Sequence, residues 1–281
     1  MNVADALKFG GAELTAAGIA EPLREANSLL QFAIARDHAF IIAHPEYDLS
    51  ENEAELFNNS IARRANREPF QHITGRQEFY GLDFLVTPDV LIPRPETELI
   101  VERAIELLSC DEHQRFLEIG VGSGCISVAI LKHCPKAFGV AIDISESAIE
   151  IALQNAEMHG VANRLILFKS DVFEGVPKQG FDLIVSNPPY VPLHEYTGLQ
   201  PEVRDHDPRS AVTDGSTGLT IIERIIAGAP KYLSSGGHLL IEIGHGQSER
   251  VSSLIDPTIW LSAEFIPDLQ TIPRTLHTRL A

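Results

Sequence analysis

From Thr97 onward, short apolar runs of strand length alternate with helical patterns, and this alternation limits the possible folds more than any other feature of the chain. Arg115-Phe-Leu-Glu-Ile119 reads as a short buried strand that ends in glycines, and Ile126 to His133 reads as a helix. Ala137 to Ile142 is the next strand, ending at Asp143, and Ser147-x-x-Glu150 predicts the start of a helix that runs to about His159 and stops at Gly160. Strands follow near 164–168, 181–185 and 237–243, with a helix over about 218–232 before the last. Repetition of this kind calls for an α/β fold: a parallel sheet covered by helices on both faces.

Before this region, residues 1 to about 74 carry no convincing strand. Apolar side chains recur at helical spacing in Val3, Leu7 and Leu14 and again from Leu23 through Ala26, Leu29, Leu30, Ala33 and Ile34, with Pro22 suited to a first helical turn. Ser50-x-x-Glu53 has the form of a capping box and is followed by Leu56, Phe57 and Ile61 on one face. Residues 1–75 therefore form a helical domain. From Glu78 to Glu96, aromatic and β-branched residues surround Gly81, and three prolines exclude a helix; 76–95 reads as a β-hairpin linker, leaving 96–281 as the α/β domain.

Charge narrows the function. Lys and Arg number 22 against 39 Asp and Glu, a net charge of −17, and both parts are acidic: 6 basic against 11 acidic side chains in 1–75, 16 against 28 beyond. That sign disfavours broad contact with a nucleic acid backbone. Cys110, Cys125 and Cys134 lack C-x-x-C pairing, which argues against a disulfide framework or a cysteine-built zinc site and suits small buried hydrophobes in a reducing cytosol. His206, His238 and His245 show no metal-ligand spacing, so no metal is assigned. No apolar run approaches a membrane span, and Met1-Asn2-Val3-Ala4-Asp5 lacks a basic stretch leading into an apolar one, so a cytoplasmic protein without a membrane partner is expected.

Gly120-Val121-Gly122-Ser123-Gly124 joins the first strand of the sheet to a helix, where glycine lets the backbone turn sharply and approach a ligand closely. The spacing is G-x-G-x-G, with Cys125 where a dinucleotide fingerprint has its third glycine, and no Gly-Lys-Ser/Thr follows to make a P-loop. Asp143, at the end of the second strand, is placed to accept hydrogen bonds from both hydroxyls of a ribose. Past the third strand, Asp171 is suited to an adenine amino group and Val172 to the ring face. Glu118, on the first strand, suits either the amino acid portion of a ligand or nearby backbone amides. Contacts on successive strand ends without a phosphate-binding pattern suggest S-adenosylmethionine in preference to NAD or ATP.

The strand Phe181-Asp-Leu-Ile-Val185 runs into Ser186-Asn187-Pro188-Pro189-Tyr190. Consecutive prolines stiffen the backbone and leave their carbonyls outside any ladder. The Asn187 side-chain oxygen and the Pro188 carbonyl together satisfy the two donors of a planar NH2 group, and Tyr190 offers a flat apolar face. Asn-Pro-Pro-Tyr in this place is similar to the motif of S-adenosylmethionine-dependent methyltransferases that modify exocyclic or amide nitrogens. The chain as a whole resembles the PrmC/HemK family of protein-(glutamine-N5) methyltransferases. That resemblance is carried by Glu68-Pro69, Ile73-Thr74-Gly75, Glu78 to Leu82, Leu91-Ile92-Pro93-Arg94-Pro95-Glu96-Thr97-Glu98, the glycine turn, Asp143, the Asn187 motif, Asp214-Gly215 with Gly218-Leu219, and Glu242-Ile243-Gly244.

The resemblance implies a Rossmann-like class I methyltransferase sheet with an N-terminal helical domain and a β-hairpin linker. It further implies methyl transfer to the glutamine of a Gly-Gly-Gln loop in peptide chain release factors 1 and 2. Gly120 to Gly124, Asp143 and Val172 would contact S-adenosylmethionine, with Asp171 and Asn187 beside it, although Val172 stands where relatives often carry tryptophan. Asn187, Pro188, Pro189 and Tyr190 would bind the glutamine, and Asn187, Pro188 and Tyr190 would serve the transfer. Arg94 and Glu96 are expected either to shape the substrate site or to tie the linker down by a salt bridge, and residues 1–74 to dock the protein substrate. Gln270-Thr-Ile-Pro-Arg274 departs from the family's usual turn before the last strand. The competing reading is an adenine amino methyltransferase acting on DNA or RNA, against which the acidic charge stands.

Overall fold

A computed structural model describes residues 1–108 and 112–281, which form two compact units: Met1–Arg76 with Gln200–His206, and Gln77–Leu199 with Asp207–Ala281. The first unit is helical, with helices Val3–Ala16, Pro22–Ile34, His38–Ala43, Glu51–Ala65 and Phe70–Thr74. Leu14, Leu29, Leu30, Phe57 and Ile61 are buried at its centre. Pro22 occupies the first turn of its helix, and the Ser50 capping box forms: the Glu53 amide donates to Ser50 Oγ (3.4 Å) while the Ser50 amide donates to Glu53 Oε2 (2.8 Å). A sixth helix from far along the chain, Pro201–His206, belongs to this unit. Its Glu202 meets Arg64 at 3.1 Å and Arg67 at 3.0 Å, and the buried Arg64 guanidinium also pairs with Glu25. Hydrophobic periodicity gives no sign of this assignment, because charged side chains make it.

The second unit begins with a hairpin of β1 (Arg76–Phe79) and β2 (Leu82–Leu85), after which the expected linker runs on without further pairing. The main sheet contains β3 (Arg115–Ile119), β4 (Phe138–Asp143), β5 (Leu165–Lys169), β6 (Phe181–Ser186), β7 (Leu233–Glu242), β8 (Trp260–Pro267) and β9 (Pro273–Leu280), in the order β5-β4-β3-β6-β7-β9-β8. The first five pair in parallel, and β9 runs antiparallel to both β7 and β8. Alternation along each strand feeds two cores. Phe116, Leu183, Val185 and Leu240 pack with Ile126, Ala129 and Ala152 of the helices on one face. Leu117, Ile184, Leu239 and Ile241 pack with Ile222, Ile225 and Ile226 on the other.

Three boundaries differ from the sequence reading. The helix after β4 spans Glu146–Met158 and is capped by Ser145, not Ser147, because Asp143 Oδ1 accepts the Ser145 amide (2.9 Å) and holds that residue extended. The expected helix over 218–232 is Thr220–Gly228, followed by a 3-10 turn at Ala229–Lys231 that contains Pro230. β7 starts at Leu233, ahead of the strand expected near 237–243, and passes through Gly236 (φ +74°). The departure at 270–274 forms a closed corner, in which Asp268 Oδ1 accepts the amides of Gln270 and Ile272 and Arg274 Nε meets Asp268 Oδ2 at 3.0 Å. Cys125 is a free buried thiol, whereas Cys134 is disulfide-bonded and so not the plain buried thiol expected; Cys110 lies outside the described residues. Among the described residues, no helix is long and apolar enough to cross a membrane.

The capping box sits on the helix that carries Phe57 and Ile61 into the core of the first unit. Ser50→Ala should therefore cost about 1 kcal/mol locally. Amide hydrogen exchange across Glu51–Ala65 is the check: exchange should quicken about fivefold there, and unchanged protection would show that the cap contributes nothing.

Candidate active site

From β3 the sheet is built outward through β4 and β5 on one side and through β6 and β7 on the other, so the direction in which the strand order advances switches between the parallel neighbours β3 and β6. Such a switch opens a crevice at the carboxyl ends of the strands. A cleft of about 310 Å³ occupies it, and all of its lining residues belong to the second unit. Gly120 and Gly122 line it and, with Gly124, which is not part of its wall, make the turn at φ +79°, +51° and +80°, a region that side-chain-bearing residues rarely adopt. The amides of Gly120 and Val121 both donate to the Ile142 carbonyl at 2.9 Å, tying the turn to the end of β4. A Cβ at Gly124 would stand 3.1 Å from that of Ala152, so glycine there also lets two helices close together.

Asp143 lines the cleft, and its carboxylate accepts the Gly122 amide through Oδ2 (3.0 Å) and the Ser145 amide through Oδ1 (2.9 Å). Each oxygen keeps a further lone pair for a ligand hydroxyl. Glu118 is 1% exposed on the cleft wall, and its Oε2 accepts both the Ser127 amide (3.0 Å) and the Ser127 hydroxyl. Burial, aided by the charge of Asp143, pushes the Glu118 carboxyl up to about 8 against the pull of those bonds. Ser123 Oγ is buried on the same wall, with the Cys125 thiol as its side-chain neighbour. Asp171 and Val172 line the opposite wall. Asp171 is paired with Arg224 at 2.9 Å, an engagement the sequence did not signal. Val172 sits at φ +56°, where a β-branched residue stores on the order of 1–3 kcal/mol of backbone strain.

Where β6 ends, Asn187 and Pro189 reach the cleft wall; Pro188 is buried and Tyr190 half-buried, and neither is part of that wall. Asn187 Nδ2 donates to Thr97 Oγ1 (2.9 Å), Thr97 Oγ1 donates to Glu242 Oε2 (2.7 Å), and the Tyr190 hydroxyl donates to Glu242 Oε1 (3.2 Å). The Tyr190 phenol, buried beside this carboxylate, is raised far above its ordinary range and remains protonated. Gln247 braces the same loop: its Nε2 donates to the Tyr190 carbonyl (2.9 Å) and its Oε1 accepts the Gly244 amide (2.8 Å). Gly218 (φ +77°) passes so close that a Cβ would lie 2.2 Å from the Tyr190 carbonyl. Arg94 lines the cleft and is ion-paired with the buried Asp207, while Glu96 is exposed and is not part of the wall. Thr97, Glu242 and Gln247 carried no side-chain role in the sequence reading, because their partners lie far away in sequence.

Glu118 titrates in the direction that ties stability to pH. Its folded value of about 8 lies above that of an unfolded glutamate, so its contribution is complete in mild acid and is lost as pH rises through about 8. The melting temperature should fall between pH 5.5 and pH 9. Glu118→Gln should narrow that fall by at least ~2 °C, the shift that on the order of 1 kcal/mol produces in a domain of this size. An equally steep fall in the variant would place the titration elsewhere.

Comparison with known proteins bears on the whole chain. Residues 5–75 match the family profile described as the PrmC N-terminal domain, and residues 97–202 match the methyltransferase small domain. The release factor glutamine methyltransferase of Geobacter sulfurreducens is 43% identical over 263 residues, covering 94% of this chain and 91% of the relative. That of Cereibacter sphaeroides is 41% identical over 280 residues, covering 100% and 99%. Among solved structures, a methyltransferase from Pyrococcus furiosus aligns with a TM-score of 0.53 at 19% identity, over 82% of this chain and 98% of that one. The human Mettl16 catalytic domain, solved with an RNA hairpin, aligns at 0.56 and 15% identity over 83% of each. These two likenesses establish the class I methyltransferase fold of the sheet. With close to full-length matches above 40% identity, the chain belongs to the release factor glutamine methyltransferase family.

Proposed function

We propose that the protein transfers a methyl group from S-adenosylmethionine to the side-chain amide nitrogen of the glutamine in a Gly-Gly-Gln loop of peptide chain release factors 1 and 2, in the cytoplasm. The observation that carries this reading is the orientation of Asn187: its nitrogen end faces Thr97 and donates one N–H to it, so its oxygen is the end turned to a ligand on the cleft wall. An acceptor oxygen at that place suits the N–H of a primary amide.

The residues present fit the cofactor. Asp143 retains acceptor capacity for ribose hydroxyls, and the Ser123 hydroxyl lines the cleft beside it. Glu118 offers its remaining oxygen to an ammonium, and Val172 supplies an apolar surface. When bound, S-adenosylmethionine supplies a methyl group on a sulfonium, an electrophile that needs no metal. The chain's own part is to place and polarise the acceptor. An amide nitrogen is a weak nucleophile because its lone pair is delocalised into the carbonyl. Holding it in one orientation contributes on the order of 7–11 kcal/mol where the geometry is tight. Asn187 Oδ1, on the cleft wall, accepts one N–H bond and stabilises the positive charge that grows on nitrogen, and the second N–H is assigned to the carbonyl of Pro188, which is not itself part of that wall. Tyr190, held by Glu242 and Gln247, limits tilting of the amide plane.

The helical unit is assigned to docking of the protein substrate, since the whole cleft wall lies in the other unit and Leu23 and Ile42 are 68% and 67% exposed on it.

Asp143→Ala should weaken S-adenosylmethionine binding roughly 10-fold to 150-fold by calorimetry, the loss of charge-assisted bonds worth about 1.5–3 kcal/mol. Unchanged affinity would remove Asp143 from the site. Asn187→Ala should lower kcat at least about 100-fold while sparing cofactor affinity. Offering labelled S-adenosylmethionine together with release factor, its Gln→Ala variant or adenine-containing DNA tests the substrate. Label confined to the parent release factor is expected; label in DNA would favour the adenine reading.

A further inference from the structure

We propose that Thr97 and Glu242 are positioning residues for the transfer: the Glu242 carboxylate, acting through the Thr97 hydroxyl, fixes which way the Asn187 amide faces and strengthens its oxygen as an acceptor. The inference rests on the amide-substrate reading above and adds to it the group that sets the acceptor.

An asparagine amide is almost symmetric in shape, and turning it over exchanges an acceptor for a donor. In an amide-binding site that exchange is decisive, because a donor facing the substrate NH2 meets another donor. Something must therefore choose between the two orientations. The choice is made by proton counting along one chain of bonds. A carboxylate accepts only. Thr97 has a single hydroxyl proton, and it is spent on Glu242 Oε2 (2.7 Å), which leaves only lone pairs on the side of Thr97 Oγ1 that faces Asn187. The group at 2.9 Å from that oxygen must then be the NH2 of Asn187. The second carboxylate oxygen is occupied by the Tyr190 hydroxyl at 3.2 Å, so both ends of the substrate-facing loop are oriented by the same acid. Thr97 is 2% and Glu242 1% exposed, so bulk water does not compete for these bonds.

The chain also carries charge. Donors arranged in series toward an anion polarise one another, and an amide that gives its N–H to such a chain gathers electron density on its oxygen. That oxygen accepts from the nitrogen on which positive charge develops, so the benefit is larger in the transition state than in the ground state.

Protonation of Glu242 undoes the arrangement. Burial and the neighbouring Glu96 push its carboxyl up to about 7, while the bonds from Thr97 and Tyr190 and the positive charge of Arg274 pull it down; Cys125, itself raised to about 12, faces it as a neutral thiol. A protonated Glu242 can donate to Thr97, whose own proton then turns toward Asn187 and draws the amide oxygen inward. Turnover should accordingly fall as pH drops below about 7 and reach its plateau above.

The kinetic arm measures kcat and KM for release factor methylation from pH 5.5 to 9. Thr97→Val should lower kcat at least tenfold with S-adenosylmethionine affinity unchanged by calorimetry, and Thr97→Ser should restore most of the loss. Glu242→Gln should remove the acid limb near pH 7. A Thr97→Val enzyme as fast as the parent, or an acid limb that persists in Glu242→Gln, overturns the proposal. A second arm uses the parent protein without substrate: the side-chain NH2 signals of Asn187 in a nitrogen-15 correlation spectrum, assigned by their loss in Asn187→Asp, should shift with a midpoint near pH 7. They should lose that shift in Thr97→Val. Signals indifferent to pH in the parent also overturn the proposal. A clear titration in a protein that fails to methylate release factor would instead leave the positioning intact and reject the substrate reading.

Discussion

The site depends on the register between two neighbouring parallel strands. β3 and β6 pair so that Ile119 stands opposite Ser186, and the Ser186 hydroxyl donates to the Ile119 carbonyl at 2.7 Å inside the sheet. The next residue on one strand is Gly120, which opens the glycine turn. The next on the other is Asn187, which opens the proline motif. Two loops with separate duties are thereby set side by side, with a Cβ on Gly120 coming no closer than 3.9 Å to the Asn187 carbonyl. A slip of one residue would turn every side chain of a strand to the opposite face and part these two loops. The apolar alternation that fills the two cores is what prevents such a slip, so packing far from the cleft sets the spacing within it.

Charge in the cleft is handled by burial as much as by pairing. Glu118 and Glu242, each 1% exposed, stand on neighbouring parts of one acidic domain, and burial raises both. Each is held by hydroxyl donors, Ser127 for the first and Thr97 with Tyr190 for the second. Hydroxyls hold a buried carboxyl without an ion pair, so burial and pH together set its protonation, whereas an arginine partner would fix it as the anion. Arg64 shows the opposite solution in the helical unit, where a buried guanidinium is neutralised by Glu25 and Glu202 and serves packing alone.

Much of this was legible in the sequence because it follows local rules. Alternation between Arg115 and Ile119, the glycine turn, the capping box at Ser50 and the prolines after Asn187 each act through neighbours along the chain, and the structure has all of them. Long-range side-chain pairing left no such trace. The assignment of Thr97 and Glu242 to one hydrogen-bond chain spans 145 positions, and the hold of Glu202 on Arg64 spans 138. The Ser147-x-x-Glu150 pattern points to Ser147 and not Ser145 as the cap, because it takes no account of the Asp143 carboxylate that holds Ser145 extended. The Pro93 to Glu98 segment is recognisable as unusual from its sequence, and within it Arg94 and Thr97 line the cleft while Glu96 is exposed and not part of the wall. A motif shows which segment matters; burial shows which of its side chains do.

Delivery of a methyl group from the cleft between β3 and β6 to a side-chain amide nitrogen is open to direct test. Tandem mass spectrometry of a release factor incubated with the full-length protein and S-adenosylmethionine tests it most directly. The account predicts a gain of one methyl group confined to the glutamine of the Gly-Gly-Gln loop, on fragments that place it on the side-chain nitrogen. A methyl group on any other residue, or none on a release factor whose glutamine is intact, would contradict it.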